Sequence, residues 1–326
     1  MIRVVTANPA MDRIEDMALL TLGGVNRSVE VHVVASGKGI NTARGLRQLG
    51  LEVAAYGFLG GITGQFLHDE CARLGIVDRH TPIVGTTRVC IILVERNPRR
   101  STTLNEPGPY VSSGDVSELV EALRRDCRGN DLVIMAGSMP RGAPETLYRD
   151  LVRIAHDAGA RTIVDTSGPA LVAATEGRPW MLKTNLDELQ YLAGRALDAA
   201  DQAAIVNAMR KIAGPLASVV ITTLGARGAL IATADGTWTI EVPNVPTVNP
   251  DGSGDLFLAG FASALDAGRD LLNAAVVGAA CSVANVLSMR PELPDDVDIS
   301  EIEQQVHLSR LGPYVERQAP SSTGAA

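Results

Sequence analysis

Toward the carboxyl-terminal third of the chain, a Gly-Ser-Gly-Asp tetrapeptide stands directly before an apolar run with the pattern of a helix. Backbone N–H groups at a helix amino terminus carry partial positive charge, and Gly252, Ser253 and Gly254 would let an anionic oxygen approach them. Asp255 follows at once, so its carboxylate could take the proton of a hydroxyl that attacks a phosphoryl group. The alternative is that Asp255 only stabilises its helix, by about 0.3–1 kcal/mol. On this motif alone the two interpretations weigh equally.

A second set of polar residues follows a short apolar run that ends at Lys183. Asn185 and Glu188 are three residues apart, so on a helix they share one face. Their amide and carboxylate oxygens could converge on Mg²⁺, mostly through water. The same spacing also makes a capping box at a helix start, and the residue types alone favour that simpler interpretation.

Two glycine-containing loops resemble nucleotide motifs only superficially. In the stretch SGKGIN, Gly39 stands where a P-loop needs Ser or Thr, and His32 stands where its first glycine belongs. Both this loop and the Gly252 loop lack the third small residue of the dinucleotide fingerprint. The sequence therefore excludes a P-loop and disfavours an oxidoreductase that binds a dinucleotide.

The composition is that of a folded globular protein. A length of 326 residues suits one large domain or two ordinary ones. With 46% apolar and 20% charged residues, the chain can form a substantial core. The net charge of −8 disfavours nucleic-acid binding driven by counterion release. The four cysteines lack metal-like spacing, the amino terminus does not resemble a signal peptide, and no apolar run suits a membrane span. We expect a soluble protein of the reducing cytoplasm with no nucleic-acid or membrane partner.

Short β-rich runs alternate with helical patterns along most of the chain, which predicts βαβ units, a mostly parallel sheet and helices on both faces. The predicted strands are Ile2–Thr6, Val53–Phe58, Leu132–Ala136, Thr162–Asp165, Trp180–Lys183 and Ser218–Thr222. The predicted helices are Ile40–Leu49, Gly64–Leu74, Val116–Cys127, Pro144–Ala158, Leu186–Ala193, Gln202–Ile212, Asp255–Leu265 and Leu271–Leu287.

Two stretches interrupt this rhythm, Arg13–Val34 and Thr86–Leu104, and their alternating patterns predict inserted antiparallel strands. Such insertions commonly cover one end of a main sheet. We therefore expect an α/β core made of residues 1–11, 36–85 and 107–312, and a discontinuous β lid made of residues 12–35 and 86–106. Residues 313–326 are small and polar and are expected to form a flexible tail.

Eight short motifs occur in a fixed order along the chain. They are TANPAMD (6–12), SGKGINTAR (36–44), GFLGG (57–61), TR (87–88), AGSMP (136–140), KTNLDE (183–188), TLGARG (223–228) and GSGD (252–255). Together they resemble the PfkB (ribokinase-like) carbohydrate kinase family, specifically its hexose-phosphate branch of 1-phosphofructokinase, tagatose-6-phosphate kinase and the minor 6-phosphofructokinase. The resemblance implies a three-layer αβα core with a small β-sheet lid and an ATP-dependent kinase activity.

The resemblance implies a role for Asp255 as the base that activates the acceptor hydroxyl, with the N–H groups of Gly252 to Gly254 as the anion hole. It also assigns residues to the sugar. The sugar-contacting positions of the family match Asp12, Gly37, Lys38, Gly39 and Asn41. From residue types alone, Asp12 could instead be a turn residue and Asn41 a helix-start residue with local hydrogen bonds.

Arg88 indicates the substrate class. Its Thr-Arg context matches the place where sugar-phosphate members of the family hold the phosphate already on the acceptor, and a guanidinium suits that task through its paired planar donors. Ser138 could add a hydroxyl contact. The alternative for Arg88 is a solvated strand charge.

The remaining assignments concern ATP and its metal ion. By resemblance, Lys183 meets the ATP phosphates, while Asn185 and Glu188 hold Mg²⁺. The nucleotide loop matches Thr223, Gly225 and Gly228, and the adenine is expected near Ala279 and Asn285. A monovalent cation is a further candidate cofactor.

Three positions depart from the family pattern. Ser36 replaces the first of two glycines, Thr184 replaces a proline, and Asp251 places a second carboxylate just before the anion hole. The resemblance favours fructose 1-phosphate slightly over tagatose 6-phosphate as the acceptor. An unphosphorylated sugar or nucleoside ranks lower, and a non-catalytic sugar- or nucleotide-binding regulator ranks last. The alternating face of the lid (Val29, Val31, Val33) needs cover, either from substrate closure or from a second subunit, and the resemblance implies a homodimer through the lid.

Overall fold

A computed structural model of the protein describes residues 1–312, so the predicted tail at 313–326 lies outside the described residues. The strands are β1 Ile2–Thr6, β2 Ala10–Met17, β3 Glu30–Ser36, β4 Val53–Leu59, β5 Val77–Asp78, β6 Thr81–Pro82, β7 Arg88–Arg96, β8 Arg99–Asn105, β9 Leu132–Ala136, β10 Arg161–Asp165, β11 Met181–Asn185, β12 Val219–Thr223, β13 Ala229–Thr233, β14 Gly236–Glu241 and β15 His307–Arg310. The helices are α1 Lys38–Gln48, α2 Gly61–Arg73, α3 Ser113–Asp126, α4 Leu147–Asp157, α5 Gly168–Thr175, α6 Leu186–Ala193, α7 Gln202–Ile212, α8 Ser253–Asp266, α9 Leu271–Asn285 and α10 Ile299–Glu303.

Within residues 1–312 the main sheet has 11 strands, in the order β15-β14-β13-β12-β11-β10-β9-β1-β4-β5 with β6 paired to β4. The strands from β12 through β4 run parallel, while β13, β14 and β15 continue one edge as antiparallel neighbours. Parallel strands need long crossovers, and these crossovers are the helices. The carboxyl ends of the central strands therefore meet at one edge of the sheet.

Helices cover both faces of the main sheet. One face packs under α1, α2, α8, α9 and α10, and the other under α3, α4, α5, α6 and α7. Strand β1 illustrates the resulting burial, since all five of its residues are buried. The predicted α/β class and three-layer arrangement are confirmed. The predicted strands β1, β4 and β9 to β12 are found within one or two residues of their expected ends.

A second sheet, called the lid sheet below, has 4 strands in the order β3-β2-β7-β8. The sequence-based expectation was partly wrong here. Strand β2 was not predicted, and β2 pairs with β7 in parallel, although each of them pairs antiparallel with its own hairpin partner. The reason is that two hairpins from distant parts of the chain meet through their inner strands.

The lid sheet has two unlike faces. Its inner face buries Ile14, Val34, Ile92 and Val94 against Met289 of the core. On β3 the alternate positions Val31 and Val33 remain exposed. Period-two alternation thus turns one set of side chains toward the core and leaves the other in solvent.

Two sequence-based expectations concern the cell compartment. Among the described residues, no helix is both long and apolar enough to cross a membrane. All four cysteines are free and buried.

Candidate active site

The turn before α8 has a backbone that only glycine accommodates without strain. Gly252 precedes the helix with φ 84° and ψ −9°, and a Cβ there would lie 2.4 Å from the Cβ of Pro291. No side chain caps α8. A Cβ on Gly254 would lie 2.7 Å from Lys183 Nζ, so the missing side chain lets that ammonium approach the helix start. The backbone donors of α8 and a lysine therefore surround one small volume, which suits an anion.

Asp255 occupies the first turn of α8 and is buried, with 6% of its surface exposed. The amide nitrogen Nδ2 of Asn41 donates to its Oδ2 at 2.8 Å. Burial raises the pKa of Asp255 to about 7, and the nearby Asp165 adds to the rise while Lys183 and the Asn41 hydrogen bond oppose it. A carboxyl with a pKa near neutrality is matched to general base work at ordinary pH.

Asn41 is held in this orientation by two donors to its own oxygen. Ser36 Oγ donates to Asn41 Oδ1 at 3.2 Å, and Arg44 donates to the same oxygen at 3.1 Å. Because the oxygen is occupied by donors, the amide nitrogen must face Asp255. Asn41 was predicted to contact the sugar, and the structure places its side chain on the carboxylate of Asp255. Ser36, which replaces a glycine of the family pattern, thus contributes a hydroxyl that helps to orient Asn41.

Asp165 is a site residue that sequence analysis missed. It ends β10, its side chain is fully buried, and it accepts from Lys38 Nζ at 2.6 Å and from Lys183 Nζ at 2.7 Å. Burial alone would raise the pKa of Asp165, but the two ammonium groups hold it below its ordinary value. The signal was present in the sequence, because ligands of open α/β sheets gather at the carboxyl ends of the strands.

Lys38 also contacts Glu188, whose Oε1 accepts from its ammonium at 2.8 Å. Burial works against the charge of Lys38, but Asp165 and Glu188 outweigh it and raise its pKa. Lys38 was predicted to contact the sugar. The structure places its ammonium between two carboxylates beside Lys183, and the sugar contact stays a prediction.

The capping-box interpretation of Asn185 and Glu188 is confirmed by geometry. Asn185 Oδ1 accepts from the Glu188 N–H at 2.8 Å, and Glu188 Oε2 accepts from the Asn185 N–H at 2.8 Å. These bonds leave lone pairs on the oxygens. The donor set of Asp165, Asn185 and Glu188 is made of hard oxygens, which fits Mg²⁺ held through its water shell.

The predicted sugar side lies between the lid sheet and β1. Burial raises the pKa of Asp12 to about 6, Ser36 and Arg88 oppose the rise, and Asp251 adds to it. Arg88 and Asp12 lie on neighbouring strands of the lid sheet, since Ala10 pairs with Arg88 and Asp12 with Cys90. Asp12 is 9% exposed, which disfavours its alternative as a plain turn residue.

Arg88 is only partly solvated. Its guanidinium donates to the backbone oxygens of Asn8 at 3.2 Å and Glu106 at 3.1 Å, and Asn8 Nδ2 in turn donates to Ser138 Oγ at 3.3 Å. The structure thus brings Arg88 and Ser138 to the same loop. The carboxamide oxygen of Asn8 is buried and has no partner within residues 1–312.

The two glycines of the SGKGIN loop are required by close packing against β1 and the turn that follows it. Gly37 has φ 107°, and a Cβ on it would lie 3.0 Å from the Cα of Pro9. A Cβ on Gly39 would lie 2.1 Å from Thr6 Oγ1. The start of α1 therefore lies directly against β1 and its following turn, and both glycines are needed there whether or not a sugar binds.

A cleft beside the anion-binding turn has mostly apolar walls. Three of the residues predicted to bind the nucleotide, Thr223, Gly225 and Gly228, line it, and Asn285 does not. Asn285 is fully buried behind the cleft and donates to the backbone oxygens of Arg290 and Glu292. The cleft is also lined by Ala226, Ala229, Val242, Pro243, Asn244, Val245, Thr247, Pro250, Ser253, Gly254, Phe257, Ala279, Ser282, Val283 and Val286.

The remaining departures from the family pattern each find a partner. Thr184 shares a hydrogen bond of 2.9 Å with Thr222 on the neighbouring strand. Asp251 Oδ2 accepts from Ser101 Oγ of β8 at 2.8 Å, and Arg99 of the same hairpin donates to the Thr247 backbone oxygen at 2.8 Å. Burial raises the pKa of Asp251, and the Ser101 bond limits the rise. Asp251 thus joins the lid sheet to the turn before α8.

Comparisons with known proteins agree with this architecture. Residues 5–296 match the family model described as pfkB family carbohydrate kinase. Tagatose-6-phosphate kinase of Staphylococcus epidermidis is 33% identical over 274 residues, which are 81% of this chain and 85% of that protein. 1-Phosphofructokinase of Bacillus subtilis is 30% identical over 311 residues, 95% of this chain and 100% of that one. The crystal structure of phosphofructokinase-2 from Escherichia coli in complex with potassium superposes with a TM-score of 0.85 at 25% identity, covering 93% of this chain and 98% of that chain.

Proposed function

The chain belongs to the pfkB family of carbohydrate kinases, and we propose that it transfers the γ-phosphoryl group of ATP to a hydroxyl of a phosphorylated ketohexose. The observation that carries this proposal is the placement of Asp255. A buried carboxylate with a pKa near 7 stands in the first turn of α8, beside the glycine turn and Lys183. A base and an anion-binding turn at the same point are what transfer to a hydroxyl requires.

In this proposal Asp255 removes the proton of the attacking hydroxyl while the N–H groups of Gly252 to Gly254 and the Lys183 ammonium stabilise charge on the transferred phosphoryl. Asn41 keeps the carboxylate of Asp255 oriented through the 2.8 Å hydrogen bond. Bound Mg²⁺ would neutralise charge on the ATP phosphates, with Asn185, Glu188 and Asp165 offering oxygens to its water shell. The apolar cleft lined by Phe257 and Val283 would take the adenine.

The acceptor's existing phosphate is assigned to Arg88 and Ser138. A guanidinium suits a phosphate because its planar donors pair with two oxygens. In the structure those donors reach backbone oxygens of Asn8 and Glu106, which a phosphate would replace as partners. Asp12, on the inner face of the lid sheet, would bind sugar hydroxyls.

Two acceptors are close competitors. Fructose 1-phosphate is our first choice because the relative named 1-phosphofructokinase matches over the full length of that protein. Tagatose 6-phosphate is the second, because the relative of that name is slightly more identical over a shorter span. The predicted monovalent cation gains support from the phosphofructokinase-2 structure solved with potassium. The buried Asn285 oxygen, without a partner within residues 1–312, is one acceptor that fits such an ion.

The experiment is a coupled assay of ATP consumption with a panel of acceptors: fructose 1-phosphate, tagatose 6-phosphate, fructose 6-phosphate, the corresponding free hexoses, and nucleosides. We expect turnover with a ketohexose phosphate and the highest kcat/KM for fructose 1-phosphate. Turnover confined to unphosphorylated sugars or nucleosides would refute the role given to Arg88. No turnover with any acceptor, in protein that binds ATP, would favour a non-catalytic regulator.

We also propose a cytoplasmic homodimer. All four cysteines are free and buried, which suits a reducing compartment. The exposed face of the lid sheet carries Val31 and Val33, at 39% and 43% exposure, and Leu104 at 54%. A second copy would cover such a face. Light scattering after gel filtration tests this, and a monomer at micromolar concentration would refute the dimer.

A further inference from the structure

One lysine sits where two carboxylates meet. The ammonium of Lys38 is 2.6 Å from Asp165 Oδ1 and 2.8 Å from Glu188 Oε1. Asp165 comes from the end of β10 and Glu188 from the first turn of α6, so the fold brings two separate acids to one point. Two carboxylates that close repel each other strongly unless a cation lies between them.

The two lysines on Asp165 differ in surroundings. The Lys183 side chain is 4% exposed and does not contact Glu188, while the Lys38 side chain is 32% exposed. An ammonium has three N–H donors. Asp165 and Glu188 engage two donors of Lys38, and the third has no hydrogen-bond partner within residues 1–312. Lys38 is therefore both a bridge between acids and a charge that can reach a ligand.

Hard oxygens converging in this way are the donor type that divalent cations prefer. With Lys38 present, both oxygens of Glu188 already accept hydrogen bonds, one from Lys38 and one from the Asn185 backbone. Asp165 likewise has one oxygen on Lys38 and the other on Lys183. A metal ion could bridge the two acids directly only by displacing the ammonium.

We propose that Lys38 is a resident cation that fills the position between Asp165 and Glu188 where a divalent ion would otherwise bind. This inference does not depend on the proposed kinase activity. The nucleotide-free protein then has no divalent ion bridging these acids. The ion that accompanies ATP would contact Glu188 only through its bound water molecules.

The test is a titration of nucleotide-free protein with Mn²⁺, followed by the electron paramagnetic resonance of the free ion. Wild-type protein is expected to show no site that depends on Glu188. Lys38→Ala, which leaves room for an ion and removes the cation shared by Asp165 and Glu188, is expected to gain about one site per chain that Mg²⁺ competes for. Adding Glu188→Gln to Lys38→Ala should abolish that site.

Two controls separate the bridge from a general change of charge. Lys38→Arg keeps a cation and should gain no site. Lys183→Met also removes a positive charge from Asp165, but it leaves Lys38 in place and should gain none. A Mn²⁺ site in wild-type protein that Glu188→Gln removes would overturn the proposal, as would a Lys38→Ala protein that folds and gains nothing.

A folding defect in Lys38→Ala would itself be informative. The two acids, which then lack the cation between them, should be stabilised by a divalent ion, so Mn²⁺ should raise the Tm of Lys38→Ala and leave that of wild-type protein unchanged. Equal shifts in both proteins would overturn the proposal. Because the titration contains neither ATP nor sugar, a failure of the proposed kinase activity would leave its outcome unaffected.

Discussion

The side-chain nitrogen of Asn41 donates to Asp255 Oδ2 across 2.8 Å, although 214 residues separate them in sequence. This bond favours the charged form of a carboxylate that burial disfavours. It connects the start of α1 to the start of α8, the two helices that begin at the glycine loops.

Asp255→Asn tests the base directly. The amide preserves the shape and still accepts from Asn41, but it cannot take a proton, so we expect kcat to fall by about 10²–10⁴-fold. The measurement is steady-state turnover with the best acceptor of the panel. Turnover near that of wild-type protein would contradict the assignment.

Asp255→Asn should lower kcat but raise the free energy of unfolding. The pKa of Asp255 rises from 3.8 to about 7 on folding, so between these values the folded state keeps a proton that the unfolded state releases, and stability falls as pH rises. Asp255→Asn removes this cost. We expect a higher free energy of unfolding above about pH 7, by a few kcal/mol in order of magnitude, and no gain near pH 4. Urea unfolding at both pH values checks the prediction, and a gain independent of pH would contradict it.

Asn41→Ala should shift the pH profile. A general base acts when deprotonated, so kcat/KM should rise with pH through the pKa of Asp255. Without the Asn41 bond that pKa rises further, and the acidic limb moves to higher pH. Asn273→Ala, at the exposed first turn of α9, is the control and should leave the limb in place. An unshifted limb in Asn41→Ala would count against the orienting role.

Arg88→Ala should separate the two substrates. If the guanidinium holds the phosphate of the sugar, KM for the sugar phosphate should rise by at least tenfold, about 1.4 kcal/mol, with a much smaller change in KM for ATP. Arg13→Ala is a matched control, since Arg13 lies on β2, the strand next to that of Arg88, pairs with Glu15 of the same strand, and has a side chain that is 47% exposed. Equal rises in both constants for Arg88→Ala would argue against the role.

Asp251→Asn tests the carboxylate that precedes the anion-binding turn. Its amide oxygen can still accept from Ser101, so the contact between β8 and this turn should survive. Removing the negative charge should lower KM for ATP because one repulsion of the phosphates disappears. An unchanged or higher KM would show that the carboxylate points away from the nucleotide or meets a cation there.

The parts of the fold that follow local rules could be predicted. Buried parallel strands such as β9 are short apolar runs, and Gln202–Ile212 has both ends where its cap and periodicity place them. The antiparallel strands β13 and β14 were not predicted, because their pattern does not indicate which strands they pair with. The parallel pairing of β2 with β7 depends on contacts between distant segments, and no local pattern encodes it.

The site residues were also predictable where a local motif marks them, and not where contacts between distant segments define them. Motif order was enough to nominate Asp255, Lys183 and Glu188. The joint contact of Lys38 and Lys183 with Asp165 required the three-dimensional arrangement, because it joins residues from three separate segments. The hydrogen bonds of Asn285 likewise needed the structure, because its amide nitrogen donates to the backbone oxygens of Arg290 and Glu292, which no sequence pattern indicates.

The parallel pairing of β2 with β7 has a consequence for synthesis on the ribosome. The hairpin of β2 and β3 leaves the ribosome more than fifty residues before β7 does, so one edge of β2 waits without a partner. Unpaired strand edges invite association between nascent chains, and charged side chains are a common protection. Strand β2 carries Asp12, Arg13, Glu15 and Asp16 within eight residues. We therefore expect the acid proposed to bind the sugar also to help keep the unfinished chain soluble.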